Sequence, residues 1–397
     1  MPVIDSKGNG VFLPYSCQSV DKEDVAAVLE VLSSDWLTTG PKVEQFERVV
    51  SGYCSVRHAV AVSSGTAALH AAMYAIGISP GDEVIVPTMT FVATANCVVY
   101  QGGRPVFADV EPDTLLIAPA SVAKLITPQT KAIIAVDYAG QPCDYDALQE
   151  IADRHGLVLV ADACHSIGGR YKGRNVGTLA DLTVFSFHPV KQITTGEGGM
   201  VVTDRDDLAA KIRRFRNHGI DTDHRQREQR GTWQYDMSAL GYNYRISDIQ
   251  CALGISQLLK LPGWLVRRRE IAAIYDKALV AVHGVSPLSV RGAREHGYHL
   301  YVVRIGDHQR LKISQGEMFH SLREAGIGVN VHYKPVHLHA FYQKNFFTKR
   351  GDCPVAESAY EQILSLPLFP SMSNADVNRV VDSIRGCLSR VLDFNQV

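Results

Sequence analysis

The chain has little that would tie it to a membrane, a nucleic acid or the secretory route. No apolar run approaches the ~18 residues that a membrane span needs. The start, Met1 to Gly10, is polar and contains glycine, with no apolar stretch of the kind a signal peptide carries. Lys and Arg number 40 against 41 Asp and Glu, a net charge of -1. No excess of one sign draws such a chain toward nucleic acid or an anionic surface. Cysteines are few and scattered. The 8 of them (Cys17, Cys54, Cys97, Cys143, Cys164, Cys251, Cys353, Cys387) make no C-x-x-C pair, and most have the small or apolar neighbours of reduced core thiols. No Cys or His pair has zinc-site spacing. His337 and His339 stand two apart, but no third or fourth ligand follows at a suitable interval, so no metal is expected. The phosphate loops G-x-x-x-x-G-K-[ST] and G-x-G-x-x-G are both missing, which weakens a nucleotide-hydrolysing or nicotinamide-dependent reading. There is no internal repeat and no low-complexity segment. We expect a cytoplasmic protein with no nucleic-acid or membrane partner.

What is present is ordinary in bulk and regular in pattern. Hydrophobic residues make up 46% and charged residues 20% of 397, a globular composition with room for two or three domains. Short runs at Ala59–Val62, Glu83–Val86, Pro105–Ala108, Ala132–Val136, Val158–Ala161, Thr183–Phe185 and Met200–Thr203 are apolar nearly throughout, as strands covered on both faces are. Helical patterns lie between them at Thr66–Ile76, Phe91–Tyr100, Tyr145–His155 and Ile246–Leu259. Another precedes them, where Val25, Val28, Leu29 and Leu32 recur at helical spacing behind an N-cap at Asp21. This alternation predicts an α/β fold with a mostly parallel central sheet flanked by helices. After Pro262 the pattern changes. A basic helix over Leu265–Leu279 is followed by strands at Tyr298–Ile305 and Gly328–His332, with a helix near Gln315–Ala325 between them. A last helix is capped by Ser373 and striped by Val377, Val380, Val381, Ile384 and Leu388. We expect a flexible N-terminal tail (1–11), a large domain (12–262) and a smaller C-terminal α+β domain (263–397).

The strongest chemical signal is Phe185-Ser186-Phe187-His188-Pro189-Val190-Lys191, followed by a glycine-rich turn to Gly199. A lone Lys at a strand end is usually a solvated charge. In open α/β sheets, however, ligands sit beyond the carboxyl ends of strands. There Ser186 could hold a phosphate while Lys191 bonds to an aldehyde, and pyridoxal phosphate presents both groups on one ring. Its remaining needs can be sought one by one. Asp162 ends an apolar strand and could face the ring nitrogen, keeping it protonated; taken alone it reads as a helix cap. His165 lies near enough to touch the ring; alone it reads as a core histidine. Gly65 and Thr66 stand in a strand-to-helix turn, where free N–H groups attract an anion. Phe91 follows the second strand and could stack on the ring; alone it reads as core. Each signal is weak, but together they fall after successive strands of one sheet.

With these parts assembled, the chain resembles the pyridoxal-phosphate-dependent nucleotide-sugar aminotransferases of the DegT/DnrJ/EryC1/StrS family, from about Phe12 to about Val391. The likeness is carried by Leu13 to Ser19, Phe91 to Asn96, Val136 to Gly140, Phe185 to Gly199, Gly241 to Arg245 and Val331 to Pro335. It is nearest to the branch that aminates C4 of a UDP-linked 4-keto-6-deoxy-N-acetylhexose in pseudaminic acid biosynthesis. The resemblance implies a fold-type I transferase. Lys191 would be the lysine that holds the cofactor and moves the proton, and Asp162 the partner of the ring nitrogen. His165 would lie beside the ring hydroxyl, Ser186, Gly65 and Thr66 would form the phosphate cradle, and Phe91 would be the stacking aromatic. It implies a homodimer in which Asn243 reaches the partner subunit's cofactor phosphate. Sugar-nucleotide contacts would fall on Tyr15, on Asp35, Trp36, Leu37 and Thr38, and on Asn330, Val331, His332 and Tyr333. L-glutamate would be the donor and 2-oxoglutarate its product. Two alternatives stay open: another 4-keto acceptor (a pentose or a GDP-linked 6-deoxyhexose), and a pyridoxal-binding regulator without turnover. The basic cluster Lys211, Arg213, Arg214 and Arg216 reads as a solvated helix face. In the second cluster, Arg225, Arg227 and Arg230, one guanidinium could meet the diphosphate.

Overall fold

All seven apolar runs pair into one sheet. The computed structural model describes residues 12–222, 224–306 and 313–393, so the expected tail, residues 1–11, lies outside it. The order across the sheet is His58–Val62, Gly199–Thr203, Leu182–Ser186, Val158–Asp162, Thr130–Val136, Glu83–Pro87 and Arg104–Ala108. Only Gly199–Thr203 runs against its neighbours, the others sharing one direction. Helices on both faces bury almost every strand side chain, which is why the runs are apolar rather than alternating. All the shared-direction strands therefore end at one edge, and the turns that follow them meet there. The Tyr145–His155 helix shows how locally such elements are written. Asp144 accepts the Ala147 N–H at the start, Leu148 and Ala152 face the core, and Gly156 ends the helix with φ 64°.

Four sequence expectations change. The helices expected at Ile246–Leu259 and Leu265–Leu279 are one helix, Asp248–Leu279, running through Pro262. An interior proline costs ~3 kcal/mol. Leu258, Leu261 and Leu265 are buried on either side of it, and each returns ~1.5–3 kcal/mol, so packing wins. The expected strand Gly328–His332 does not form, leaving one isolated bridge, Asn330 to Ser365. Tyr301–Ile305 pairs with Ile363–Leu366, a strand not expected from the sequence, in a three-stranded antiparallel sheet with Val285–Pro287. That sheet, the C-terminal half of the long helix, Gln315–Glu324 and Asn374–Asp393 enclose a second apolar cluster. Finally, helix Lys22–Leu32 forms with its Asp21 cap, but its expected apolar stripe faces outward. Val25, Leu29 and Leu32 are each more than half exposed.

Candidate active site

The helix Gly65–Ala75 begins at the end of strand His58–Val62. Ser64 caps it, its Oγ accepting the Ala67 N–H at 3.0 Å and its carbonyl the Ala68 N–H. Gly65 and Thr66 lie between these acceptors and their donors, so their own N–H groups are left for an external anion at the positive end of the helix. Ser186 closes the cup from the end of the next strand of the same direction, beyond Gly199–Thr203. A Cβ on Gly65 would sit 2.8 Å from Ser186 Cβ and 3.1 Å from its Oγ, so the cup exists only because residue 65 is glycine. Two strand ends away, Asp162 is 6% exposed. Its Oδ2 accepts the Thr94 hydroxyl at 2.7 Å, and Thr94 in turn accepts Thr90 at 2.7 Å. No helix follows Asp162 for it to cap. Its carboxylate keeps further lone pairs for a donor, which is what a ring N–H requires.

Lys191 reaches the same edge. Withdrawal from water lowers its pKa below the usual lysine value, while the Cys164 and Asp162 side chains work the other way. His165 Nε2 is 3.1 Å from the Tyr333 hydroxyl, and its Nδ1 is buried with no partner. That is an odd state for a core histidine and a fitting one for a site awaiting a polar ligand. Burial first, then the charge of Lys191, holds His165 well below the ordinary imidazole range. Phe91, expected from the bare sequence to be core, is 56% exposed and lies 6.0 Å from the Tyr333 ring. Tyr333 is held in place because Val336 N and His337 N both donate to Thr88, and the buried His337 bridges Thr88 and Glu357. His332 Nδ1 pairs with Ser365 Oγ at 2.8 Å, its ring packs 5.4 Å from Tyr15, and Asn330 Nδ2 lies 3.4 Å from its Nε2. Val331 is half-buried beside them. Ser16 Oγ donates to Val190 O, tying the Tyr15 segment to the Lys191 turn.

The structure thus gathers Lys191, Asp162, Gly65, Thr66, Ser186, His165, Phe91, Tyr15 and Asn330–Tyr333 at one edge of the sheet. The remaining residues make their contacts elsewhere, although Tyr244 O, next to Asn243, accepts the Ser63 N–H beside the cup. The loop Asp35–Thr38 runs to the start of the long helix, where Thr38 bridges Ser247 and Asp248 N donates to Leu37 O. Asn243 is exposed and bridges Asn217 in the same neighbourhood. It is not the cap of that helix, a role Ser247 takes. The first basic cluster is not a freely solvated face. Arg216 pairs with Glu47, Arg214 with Asp221, and Lys211 donates to Ala75 O. Arg227 is engaged locally by Thr222 O and the Tyr235 ring, while the side chain of Arg225 lies outside the described residues. Two residues at the site carried no assigned role in the sequence: Thr94, which holds Asp162, and His299, whose Nε2 is 3.5 Å from Lys191 Nζ. Thr94 stood three places after Phe91 and could have been flagged by helical spacing. Nothing local marks His299.

A helix N-terminus with two open N–H groups, a serine hydroxyl, an amine of lowered pKa and a buried carboxylate suit an anion, an aldehyde and a basic ring nitrogen respectively. A family model of the DegT/DnrJ/EryC1/StrS aminotransferases matches residues 18–385. The chain belongs to that family. The spore coat polysaccharide biosynthesis protein SpsC of Bacillus subtilis is 43% identical over 376 residues, 94% of this chain and 96% of its own. The sugar aminotransferase Spr1654 from Streptococcus pneumoniae, described as putative and solved in its PLP form, superposes with a TM-score of 0.89 at 32% identity, covering 96% of this chain and 99% of its own. Helicobacter pylori PseC, an aminotransferase involved in the biosynthesis of pseudoaminic acid, has a TM-score of 0.89 at 34% identity and covers 96% of this chain and 100% of its own. The chain is therefore a fold-type I sugar aminotransferase with pyridoxal phosphate as its cofactor.

Proposed function

We propose that this aminotransferase moves the amino group of L-glutamate to C4 of a UDP-linked 4-keto-6-deoxy-N-acetylhexose. The acceptor is UDP-2-acetamido-2,6-dideoxy-β-L-arabino-hex-4-ulose, in a pathway of pseudaminic acid type. The observation that carries the choice of sugar is the near-complete superposition on PseC. Bound pyridoxal phosphate supplies an aldehyde to carry the amino group and a ring to take up the electron pair left on carbon. The chain's own residues do the rest. Gly65 N–H, Thr66 N–H and Ser186 Oγ hold the phosphate, and Phe91 covers the ring. Asp162, steadied by Thr94, keeps the ring nitrogen protonated. Lys191 Nζ, its pKa lowered by withdrawal from water, anchors the cofactor. Once freed, it takes the proton from the glutamate α-carbon. The same groups run the second half in reverse, delivering the proton at sugar C4 and releasing the amine. Tyr15, Asn330, Val331, His332 and Tyr333 line the approach for the sugar nucleotide.

The dimer belongs to the same proposal. Asn243 is exposed and precedes Tyr244, whose carbonyl accepts the Ser63 N–H beside the cup, which suits a residue that reaches across to a partner subunit's phosphate. Large apolar side chains are exposed along two segments: Val25, Leu29, Leu32, Trp36 and Leu37 on one, Trp233 (83% exposed), Tyr235, Met237 and Leu240 on the other. A surface of that kind calls for a covering partner, and a two-fold copy of this chain would use it twice. A cytoplasmic location is proposed on the 8 scattered cysteines, which form no C-x-x-C pair and mostly have the small or apolar neighbours of reduced core thiols. No described helix is long and apolar enough to cross a membrane.

A second acceptor is favoured by the higher identity to SpsC, which points to another 4-keto nucleotide sugar of a polysaccharide pathway. The deciding experiment is a mass-spectrometric screen of UDP-, GDP- and TDP-linked 4-keto sugars with glutamate as donor. Preference for the UDP-linked N-acetylhexose supports the proposal. Preference for a pentose or a GDP- or TDP-linked acceptor overturns the sugar assignment and leaves the chemistry standing.

A further inference from the structure

The Lys191 amine has a neighbour that the mechanism above does not use. His299 is 3% exposed. Its Nε2 lies 3.5 Å from Lys191 Nζ, its Nδ1 has no partner, and its ring centroid is 4.3 Å from that of His165. The contact is long for a hydrogen bond, as catalytic contacts often are before substrate tightens them. The backbone that delivers His299 is unusually fixed. Gly297 N donates to Gly140 O at 2.8 Å, Leu300 N donates to Ala139 O at 3.1 Å, and the buried Arg268 donates to Tyr298 O at 3.0 Å. Both strands of this clamp hold a non-glycine residue in the left-handed region, Ala139 at φ 59° and Tyr298 at φ 42°. Such conformations cost of order 1–3 kcal/mol each and persist where the surroundings over-determine them, often at functional sites. Here they set one imidazole against one amine.

We infer that His299 is a positioning residue for Lys191: its neutral Nε2 accepts one N–H of the freed amine and so turns the amine lone pair toward the reacting carbon. The inference rests on Lys191 being the catalytic amine. It requires an unprotonated imidazole at neutral pH. The groups facing this pair are consistent with that: burial comes first, and Lys191, His165, Arg268 and His332 all oppose a proton on His299. Asp162 and Cys164 also face Lys191 and act on it in the opposite sense to burial. After proton transfer the ammonium of Lys191 still donates to the same Nε2, so the proton never needs to pass to His299.

The test compares His299→Leu, which removes the acceptor, with His299→Gln, which keeps one. His299→Asn, whose shorter side chain withdraws the acceptor, serves if the leucine variant fails to fold. In cofactor-free protein, acylation of Lys191 by acetic anhydride across pH is read by mass spectrometry. Loss of the acceptor destabilises the ammonium form, so the Lys191 profile should shift to lower pH and labelling at pH 8 should rise on the order of tenfold. In loaded protein, the glutamate half-reaction should slow on the order of tenfold. Its isotope effect with α-deuterated glutamate should rise, with KM little changed. His299→Gln should restore both readouts; a purely structural role would lower the melting temperature and move neither. Unchanged profiles and isotope effects in the acceptor-free variant, or a glutamine variant no better than leucine, overturn the inference. Borohydride reduction of the wild type separates the two levels. A cofactor fixed on another lysine refutes the site reading itself, whereas a cofactor on Lys191 with unchanged His299 profiles refutes only the role of His299.

Discussion

Replacing Gly65 by alanine sets two physical effects against each other, and the structure says which wins. Gly65 is the first residue of a helix. Propensity alone makes alanine there more stable by up to ~1 kcal/mol. The new methyl, however, would lie 2.8 Å from Ser186 Cβ, 3.1 Å from Ser186 Oγ and 3.4 Å from Cys164 Sγ. The closest contact is to a Cβ fixed on a central strand, which no rotamer change can withdraw. Overpacking of this kind costs ~1–3 kcal/mol, and the strain falls where the phosphate should bind. Gly65→Ala should therefore lower the melting temperature and weaken pyridoxal phosphate binding on the order of 10- to 100-fold by spectroscopic titration. Ser186→Ala should not relieve the clash, because its Cβ stays. Ser186→Gly should, so the double variant Gly65→Ala/Ser186→Gly should melt higher than the sum of the single changes implies, with a coupling of ~1 kcal/mol or more. Unchanged cofactor affinity and a raised melting temperature in Gly65→Ala would refute the cup.

Asp162→Asn should slow both half-reactions on the order of 100-fold, and Thr94→Val about tenfold through the lost 2.7 Å bond; stopped-flow rates near wild type contradict this. Stability should fall on acidification. His165 and His299 are held well below the ordinary value, His70 and His332 at about 4 and His296 at about 3. The unfolded chain therefore takes up protons below pH ~6.5 that the fold refuses, worth ~1 kcal/mol per histidine by pH 5.5. Asp137, pushed up to about 6 by burial, opposes this because the folded state binds its proton more tightly, but it is one group against five. The melting temperature should drop between pH 7.5 and 5.5, and a flat or rising profile contradicts the burial reading. Leu29→Asp should shift the protein toward monomer in sedimentation, and an unchanged dimer contradicts the assigned face. Mixing Lys191→Ala with Asn243→Ala chains should restore about a quarter of wild-type activity, since half the dimers are mixed and each has one intact site. No recovery with mixed dimers present rules out the shared site.

The sheet was legible because strands covered on both faces cannot hide their composition. Each run from Ala59 to Thr203 was found within a residue or two of its observed ends. The strand ends then located the site, since Asp162, Ser186 and Gly65 all follow apolar runs. What was illegible depends on distant contacts. Pro262 reads as a boundary until the leucines packed around it are known. Ile363–Leu366 is too short to declare itself without Tyr301–Ile305 beside it, and Gly328–His332 is β-rich in sequence yet only bridges Ser365. The stripe Val25, Leu29, Leu32 has the spacing of a core-facing helix, and spacing cannot say whether the core belongs to the same chain. His299 is separated from Lys191 by 108 positions and meets it only through the clamp at Ala139 and Gly140.

The central claim is that one lysine, Lys191, carries the amino-group chemistry at the cup formed by Gly65, Thr66 and Ser186. Reducing the cofactor-loaded protein with borohydride, digesting it and sequencing the cofactor-bearing peptide by mass spectrometry tests this most directly. The expected result is a single modified peptide with the cofactor on Lys191, and its absence in Lys191→Ala. A cofactor fixed on any other lysine, or retained covalently by Lys191→Ala, would contradict it.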